Sequence, residues 1–173
     1  KYKSMPGISN NEIKRVKALQ QKKMRDAEGL FIVEGEKMVQ EAVDSPFAVE
    51  NIYYKSEIGE EAMSRITALS SPSPALAVVR KPADAYVEDV SELEPLLKEG
   101  GLFLALDTIR DPGNLGTILR IADWFGIKAV FAAKDTVDVF NPKVVQSTMG
   151  AIFRVKMHYV DLPSLSDAVL SKG

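Results

Sequence analysis

Residues 104–126 read LALDTIRDPGNLGTILRIADWFG, and this stretch decides the fold. Its first part completes an apolar run at 102–106, as in a buried strand, and apolar residues then recur at helical spacing as far as Phe125. A tight turn at 111–114 joins the strand to the helix. Backbone N–H groups and the positive end of the helix dipole collect at such a turn, so the sequence predicts a site for an anionic or strongly polar ligand.

The rest of the C-terminal half continues this alternation of strand and helix. Asn114 and Asn141 are the predicted N-caps of two of its helices, and Gly126 and Gly150 are expected just past helix ends. Apolar strands that alternate with helices predict a parallel sheet covered on both faces, with a ligand crevice at the carboxyl ends of its strands. The dinucleotide fingerprint G-x-G-x-x-G is absent. The predicted strands are 102–106, 129–132 and 152–157, and the predicted helices are 114–125, 142–149 and 162–170.

The N-terminal half has the pattern of a small α/β layered domain. Pro82 and several acidic residues interrupt the periodicity at 80–90, so we expect two domains, at 1–88 and 89–173. The predicted helices are 10–27, 34–43 and 57–69, and the predicted strands are 30–33, 49–54 and 76–79.

Positive charge is concentrated at the N-terminus although the whole chain carries −2. Residues 1–27 hold eight basic and two acidic side chains, which is a reasonable footprint for binding phosphates. The same helix also fits a solvated amphipathic helix with an apolar side at Ile13, Val16 and Met24. The candidate contacts to nucleic acid are Lys14, Lys17, Lys22, Lys23 and Arg25.

Composition argues against several other kinds of site. The chain has no cysteine and one histidine, His158, so that disulfides, thiolate chemistry and a clustered metal site are not expected. No stretch reaches the length of a membrane span and no signal peptide opens the chain, which makes a cytoplasmic location the default.

Two segments in the C-terminal half resemble motifs of one known family. Residues 111–126 closely resemble the first signature motif of the SpoU/TrmH family of RNA ribose 2'-O-methyltransferases, a branch of the SPOUT superfamily. The segment NPKVVQSTMGAIFRV, residues 141–155, is similar to the part that follows it in that family. In the N-terminal half, LFIVEGEK at 30–37 resembles the ribosomal-protein-like substrate-binding domain that precedes the methyltransferase domain in many members.

This resemblance implies an α/β fold with a parallel-sheet, Rossmann-like methyltransferase domain that is knotted when complete. It also implies S-adenosyl-L-methionine as cofactor, structured RNA (rRNA or tRNA) as substrate, and a homodimer. Family members continue into two more motifs that hold the cofactor, and nothing after Val155 resembles them. We therefore expect the natural chain to extend past Gly173, with cofactor contacts mainly in that extension. Residues 1–173 alone should then bind the cofactor poorly and be inactive.

By resemblance, Arg120 is the catalytic arginine and Asn114 is its partner. An arginine is a poor base, so Arg120 is expected to clamp the 2'-oxygen and a phosphate by charge, with general base as the less favoured role. The residues themselves also allow structural roles: Asn114 as a helix cap and Arg120 in an ion pair with Asp123. Trp124 and the following phenylalanine fit a core or a dimer interface better than a base-stacking platform.

Two other classes of function compete with the methyltransferase. One is a non-enzymatic RNA-binding protein in which the methyltransferase-like half is a scaffold. The other is a Rossmann-like enzyme acting on a small phosphorylated substrate, and it rests on the strand–turn–helix pattern alone.

Overall fold

Contacts in the computed structural model divide the chain into two units. The first unit comprises residues up to Lys81 together with Phe140–Pro142, and the second comprises Pro82–Val139 and the residues from Lys143 onward. The structure describes residues 7–171, so the basic side chains at positions 1 and 3 lie outside the described residues. Within that range no helix is long and apolar enough to cross a membrane.

The first unit is built on an antiparallel sheet in the order β1-β3-β2. One face of this sheet packs against α1 and α5 around a core that includes Ile13, Val16 and Met63. The strands are β1 (Leu30–Glu34), β2 (Val49–Tyr54) and β3 (Ala75–Arg80). The helices are α1 (Asn10–Ala18), α2 (Lys22–Glu28), α3 (Glu36–Asp44), α4 (Lys55–Ile58) and α5 (Glu60–Ile66).

The prediction of one continuous helix at 10–27 is wrong, because the chain breaks between α1 and α2. Ser9 caps α1, and its side chain accepts a hydrogen bond from the Glu12 N–H. Arg25 is 1% exposed, and its Nη1 donates to the carbonyl oxygens of Leu19 at 3.1 Å and Gln20 at 2.8 Å. The buried guanidinium therefore satisfies backbone acceptors that the end of a helix leaves open. The predicted helix at 57–69 is likewise divided, here at Gly59, where φ is +88°.

The buried Arg25 should be a stability residue. Arg25→Met keeps the length of the stem but leaves two carbonyl groups unsatisfied, so it should lower the free energy of unfolding by roughly 2 kcal/mol. The control is Lys23→Met on the exposed side of the same helix, where little change is expected. Urea unfolding of both variants is the measurement, and equal stability of the two would contradict the assigned role.

The second unit contains the predicted parallel sheet, in the order β4-β5-β6. Ala129 and Phe131 of the central strand face a core formed with Val160 and Leu165. The strands are β4 (Phe103–Leu106), β5 (Ala129–Ala132) and β6 (Lys156–Tyr159). The helices are α6 (Glu94–Lys98), α7 (Pro112–Trp124), α8 (Pro142–Thr148) and α9 (Leu162–Leu170), and shorter 3₁₀ helices span Val90–Leu93 and Ala151–Phe153.

Three details of this unit differ from the sequence prediction. The third strand begins at Lys156 and not at 152, because Gly150 at φ +95° leads into the 3₁₀ turn. The sequence pattern also missed α6. In β4, Ala105 is exposed, so this edge strand is less covered than a strand buried on both faces.

Candidate functional site

Asp111 is the residue that caps α7. Its Oδ2 accepts from the Asn114 N–H at 2.8 Å, and Pro112 occupies the first helical position. The prediction that Asn114 is the N-cap is therefore wrong, and the stabilisation of about 1 kcal/mol that such a cap supplies belongs to Asp111. The Asn114 side chain is exposed in the first turn of the helix.

Hydrogen bonds to the loop after β5, at residues 135–137, fix the turn before α7. Thr108 has a φ of +59°, which is uncommon for a β-branched residue, and its hydroxyl donates to Asp107 at 2.9 Å. The same hydroxyl lies 3.2 Å from an oxygen of Asp135. The Val137 N–H donates to the carbonyl of Ile109 at 2.8 Å. The start of α7 is thereby held at the carboxyl edge of the sheet, where the sequence predicts the ligand site.

One side of α7 is exposed along its whole length. Asn114, Thr117, Ile121 and Trp124 follow one another at spacings of three and four residues, and Arg120 lies beside them. The opposite side is buried, and its residues are Leu115, Gly116, Leu119 and Ala122. The two residues expected from the family, Asn114 and Arg120, therefore share an exposed surface, with Thr117 between them.

Arg120 does not form the ion pair that the sequence allows. Asp123, three residues further along the helix, instead accepts from Nε of Arg154 at 2.9 Å. The structural role suggested for Arg120 is thus wrong. Among residues 7–171 the exposed Arg120 guanidinium has no hydrogen bond or ion pair, so its charge is available to a ligand.

An open groove of about 510 Å³ runs beside the exposed side of α7. Arg120, Arg154 and Thr117 line it together with large apolar side chains. Trp124 is 85% exposed and Phe125 is 71% exposed, so of the two positions predicted for these aromatics the core is wrong and the dimer interface stays a prediction. The groove combines positive charge with an uncovered apolar surface.

Gly116 is a site residue that sequence reasoning missed. A Cβ built on Gly116 would lie 2.6 Å from the Ser147 Cβ and 2.8 Å from the Ser147 carbonyl carbon, with the Ser147 hydroxyl nearer still. Only glycine permits α7 to approach α8 this closely. The Ser147 hydroxyl donates to Val144 at 2.8 Å and lies 3.2 Å from the Pro112 carbonyl. The glycine two residues after Asn114 was the signal available in the sequence.

The five basic residues proposed for RNA do not form one set. Lys14, Lys17 and Lys23 are exposed, and their ammonium groups make no hydrogen bond or ion pair within the described chain. Lys22 pairs with Asp26 at 2.6 Å. Arg25 is buried, so the prediction that it contacts RNA is wrong.

Acidic and histidine side chains do not form a metal site in the described part of the chain. His158 lies in β6 and is buried, and its Nδ1 lies 2.6 Å from the carbonyl oxygen of Asp84.

Each of the two units matches a known protein family. Residues 10–92 match the MRM3-like substrate binding domain, and residues 101–171 match the SpoU rRNA Methylase family. The 23S rRNA (guanosine(2553)-2'-O)-methyltransferase RlmP of Bacillus subtilis is 32% identical, over 99% of this chain and 71% of that protein. The mitochondrial rRNA methyltransferase 3 of Xenopus laevis is 30% identical, over 78% of this chain but 36% of that protein.

A solved structure shares the fold over nearly the whole chain. The AdoMet-bound rRNA methyltransferase from Sinorhizobium meliloti aligns with a TM-score of 0.80 and 29% identity, covering 96% of this chain and 69% of that one. The sequence motifs, the geometry of α7 and these similarities agree. The chain therefore belongs to the SpoU family of RNA ribose 2'-O-methyltransferases.

Proposed function

We propose that the complete protein methylates a ribose 2'-hydroxyl in rRNA, with S-adenosyl-L-methionine supplying the methyl group. The observation that carries this proposal is the exposed, unpaired Arg120 on the surface that it shares with Asn114. The similarity to 2'-O-methyltransferases over almost the whole chain supports it. This similarity favours an enzyme over a non-enzymatic RNA-binding protein.

The proposed work of Arg120 is electrostatic. The 2'-hydroxyl must lose its proton and develop negative charge as its oxygen attacks the methyl carbon. A guanidinium can contact that oxygen and an adjacent phosphate together, because its N–H groups form a planar fork. Asn114, six residues or about 1.7 turns earlier on α7, is proposed to help orient the arginine or the ribose.

The carboxyl edge of the sheet fits the cofactor only in part. The exposed carboxylates there, Asp107 and Asp135, both contact the Thr108 hydroxyl. A hydroxyl already held between two carboxylates leaves little free capacity at this point, and we assign no cofactor contact to these residues.

Methyl incorporation into RNA tests the function directly. The complete protein, incubated with labelled S-adenosylmethionine and unmodified rRNA, should label the RNA at a ribose, detected as a nuclease-resistant 2'-O-methyl dinucleotide. Binding of rRNA without labelling would instead support the non-enzymatic RNA-binding protein.

RNA binding is proposed for the first unit, within a substrate-binding domain at 1–88 that precedes a methyltransferase domain at 89–173. The match to a substrate binding domain at 10–92 supports this division. Lys14, Lys17 and Lys23 are the preferred phosphate contacts because each presents an unpaired ammonium group. Lys22 is a weaker candidate since its ammonium group already pairs with Asp26.

Reversal of these three charges should weaken RNA binding. The variant Lys14→Glu/Lys17→Glu/Lys23→Glu should lower affinity and flatten its salt dependence, because fewer counterions are released. The control reverses Lys98, Lys128 and Lys134 in the second unit and changes the net charge equally; each of these lysines pairs with a glutamate, so circular dichroism must show that both variants fold. Filter binding over a range of salt concentrations compares the RNA affinity of the two variants. An equal loss of affinity in both would show that α1 and α2 are not the preferred contact surface.

A homodimer is also proposed. Its support is the uncovered apolar surface on and beside α7, where Ile121 is 50% exposed and Met149 is 63% exposed in addition to Trp124 and Phe125. A second copy covering this surface would bring apolar area out of water next to Arg120. A cytoplasmic location is also proposed, and the similarity to a bacterial rRNA methyltransferase supports it.

A further inference from the structure

Two arginines are placed to compete for one carboxylate. Asp123 lies three residues after Arg120 on α7, a spacing at which side chains of a helix meet. Arg154 comes from a different part of the chain, and its Nε donates a hydrogen bond to the Asp123 carboxylate at 2.9 Å. Which arginine holds Asp123 thus decides whether the Arg120 charge is free.

The backbone around Arg154 favours the observed arrangement. Arg154 directly follows the 3₁₀ turn Ala151–Phe153, whose three side chains are buried, so its Cα position is fixed by the core. The Asp123 side chain is 29% exposed and the Arg154 side chain 48% exposed, which leaves the pair only partly screened by water. Asp123 is also the one acidic residue among those that line the groove.

We propose that Arg154 is a positioning residue for Arg120: it holds Asp123 and so prevents that carboxylate from pairing with the catalytic guanidinium. The inference rests on the proposed function of Arg120. A pair between Arg120 and Asp123 would neutralise the charge required at the 2'-oxygen, and it would have to break before each reaction. Arg154 therefore acts on the reaction without contacting the reacting atoms.

The predicted signature is a second mutation that restores activity. Arg154→Ala in the complete protein releases Asp123, and single-turnover methylation should slow about fivefold, the most that one exposed ion pair is expected to cost. In Arg154→Ala/Asp123→Asn no carboxylate remains to capture Arg120, so the rate should recover to within about twofold of that of Asp123→Asn alone. Asp123→Asn alone should lose less than Arg154→Ala. Arg154→Gln, which keeps a polar stem, is measured in parallel in case the alanine variant unfolds.

Thermal unfolding separates positioning from structural support. The double variant should be no more stable than Arg154→Ala, so activity should recover while stability does not. A double variant as slow as Arg154→Ala would overturn the inference while leaving the proposed function in place. A wild-type protein that transfers no methyl group would overturn the proposed function, and this inference with it.

Discussion

Arg120→Ala should lower the rate of methyl transfer on the order of 10²–10³-fold, as expected when one preorganised group that stabilises transition-state charge is removed. Arg120 is exposed and packs into no core, so the fold should be retained. Arg120→Lys should also fail, because an ammonium keeps the charge but lacks the planar fork. The measurement is labelled methyl incorporation by the complete protein under single-turnover conditions, with circular dichroism as the check on folding.

Mixed subunits show whether the site is shared between two copies. If a homodimer brings Arg120 close to the cofactor of the partner, an Arg120→Ala subunit mixed with a subunit that cannot bind cofactor should regain activity. Full activity in a strictly monomeric preparation would refute the shared site. Wild-type activity in Arg120→Lys would show that charge alone is sufficient.

Gly116→Ala should destabilise the second unit by about 3 kcal/mol, because the new methyl group would overlap Ser147 of α8. Part of the contact is with the Ser147 backbone, so a change of side-chain rotamer cannot relieve it. The helices must separate, which also displaces the turn that carries Asn114. Chemical denaturation of the chain measures the loss.

Thr117→Ala is the matched control, since it places a methyl group at the neighbouring exposed position of the same helix. It should leave the free energy of unfolding nearly unchanged. Adding Ser147→Gly to Gly116→Ala should recover part of the lost stability. A Gly116→Ala variant as stable as the control would show that α7 and α8 adjust easily.

The elements that could be predicted from the sequence are those with a strong local pattern. The strand, turn and helix from 102 to 126 were recognised because the apolar spacing changes from a strand to a helix across a Pro-Gly turn. The sequence pattern predicts Asn114 as the cap, but Asp111 belongs to the same group of residue types that favour this position. Only the backbone geometry shows which of the two accepts the N–H.

The remaining errors come from contacts between residues distant in sequence. A lysine and an arginine look alike in a basic helix, yet Lys23 is solvent-exposed while Arg25 binds carbonyl groups inside the domain. Arg120 and Asp123 have the spacing of an ion pair, but Arg154, thirty-one residues beyond Asp123, takes the carboxylate. No local window contains that competitor.

The position of β4 at the edge of its sheet has a consequence for handling the chain. Among the described residues β4 pairs with β5 alone, so one row of its N–H and C=O groups is open. Its sequence, Phe-Leu-Ala-Leu, has no lysine or proline of the kind that protects natural edge strands. Residues 1–173 prepared alone should therefore self-associate as concentration rises, through addition of a strand from a neighbouring molecule. Analytical ultracentrifugation over a range of protein concentrations measures this association, and a sedimentation coefficient independent of concentration would contradict it.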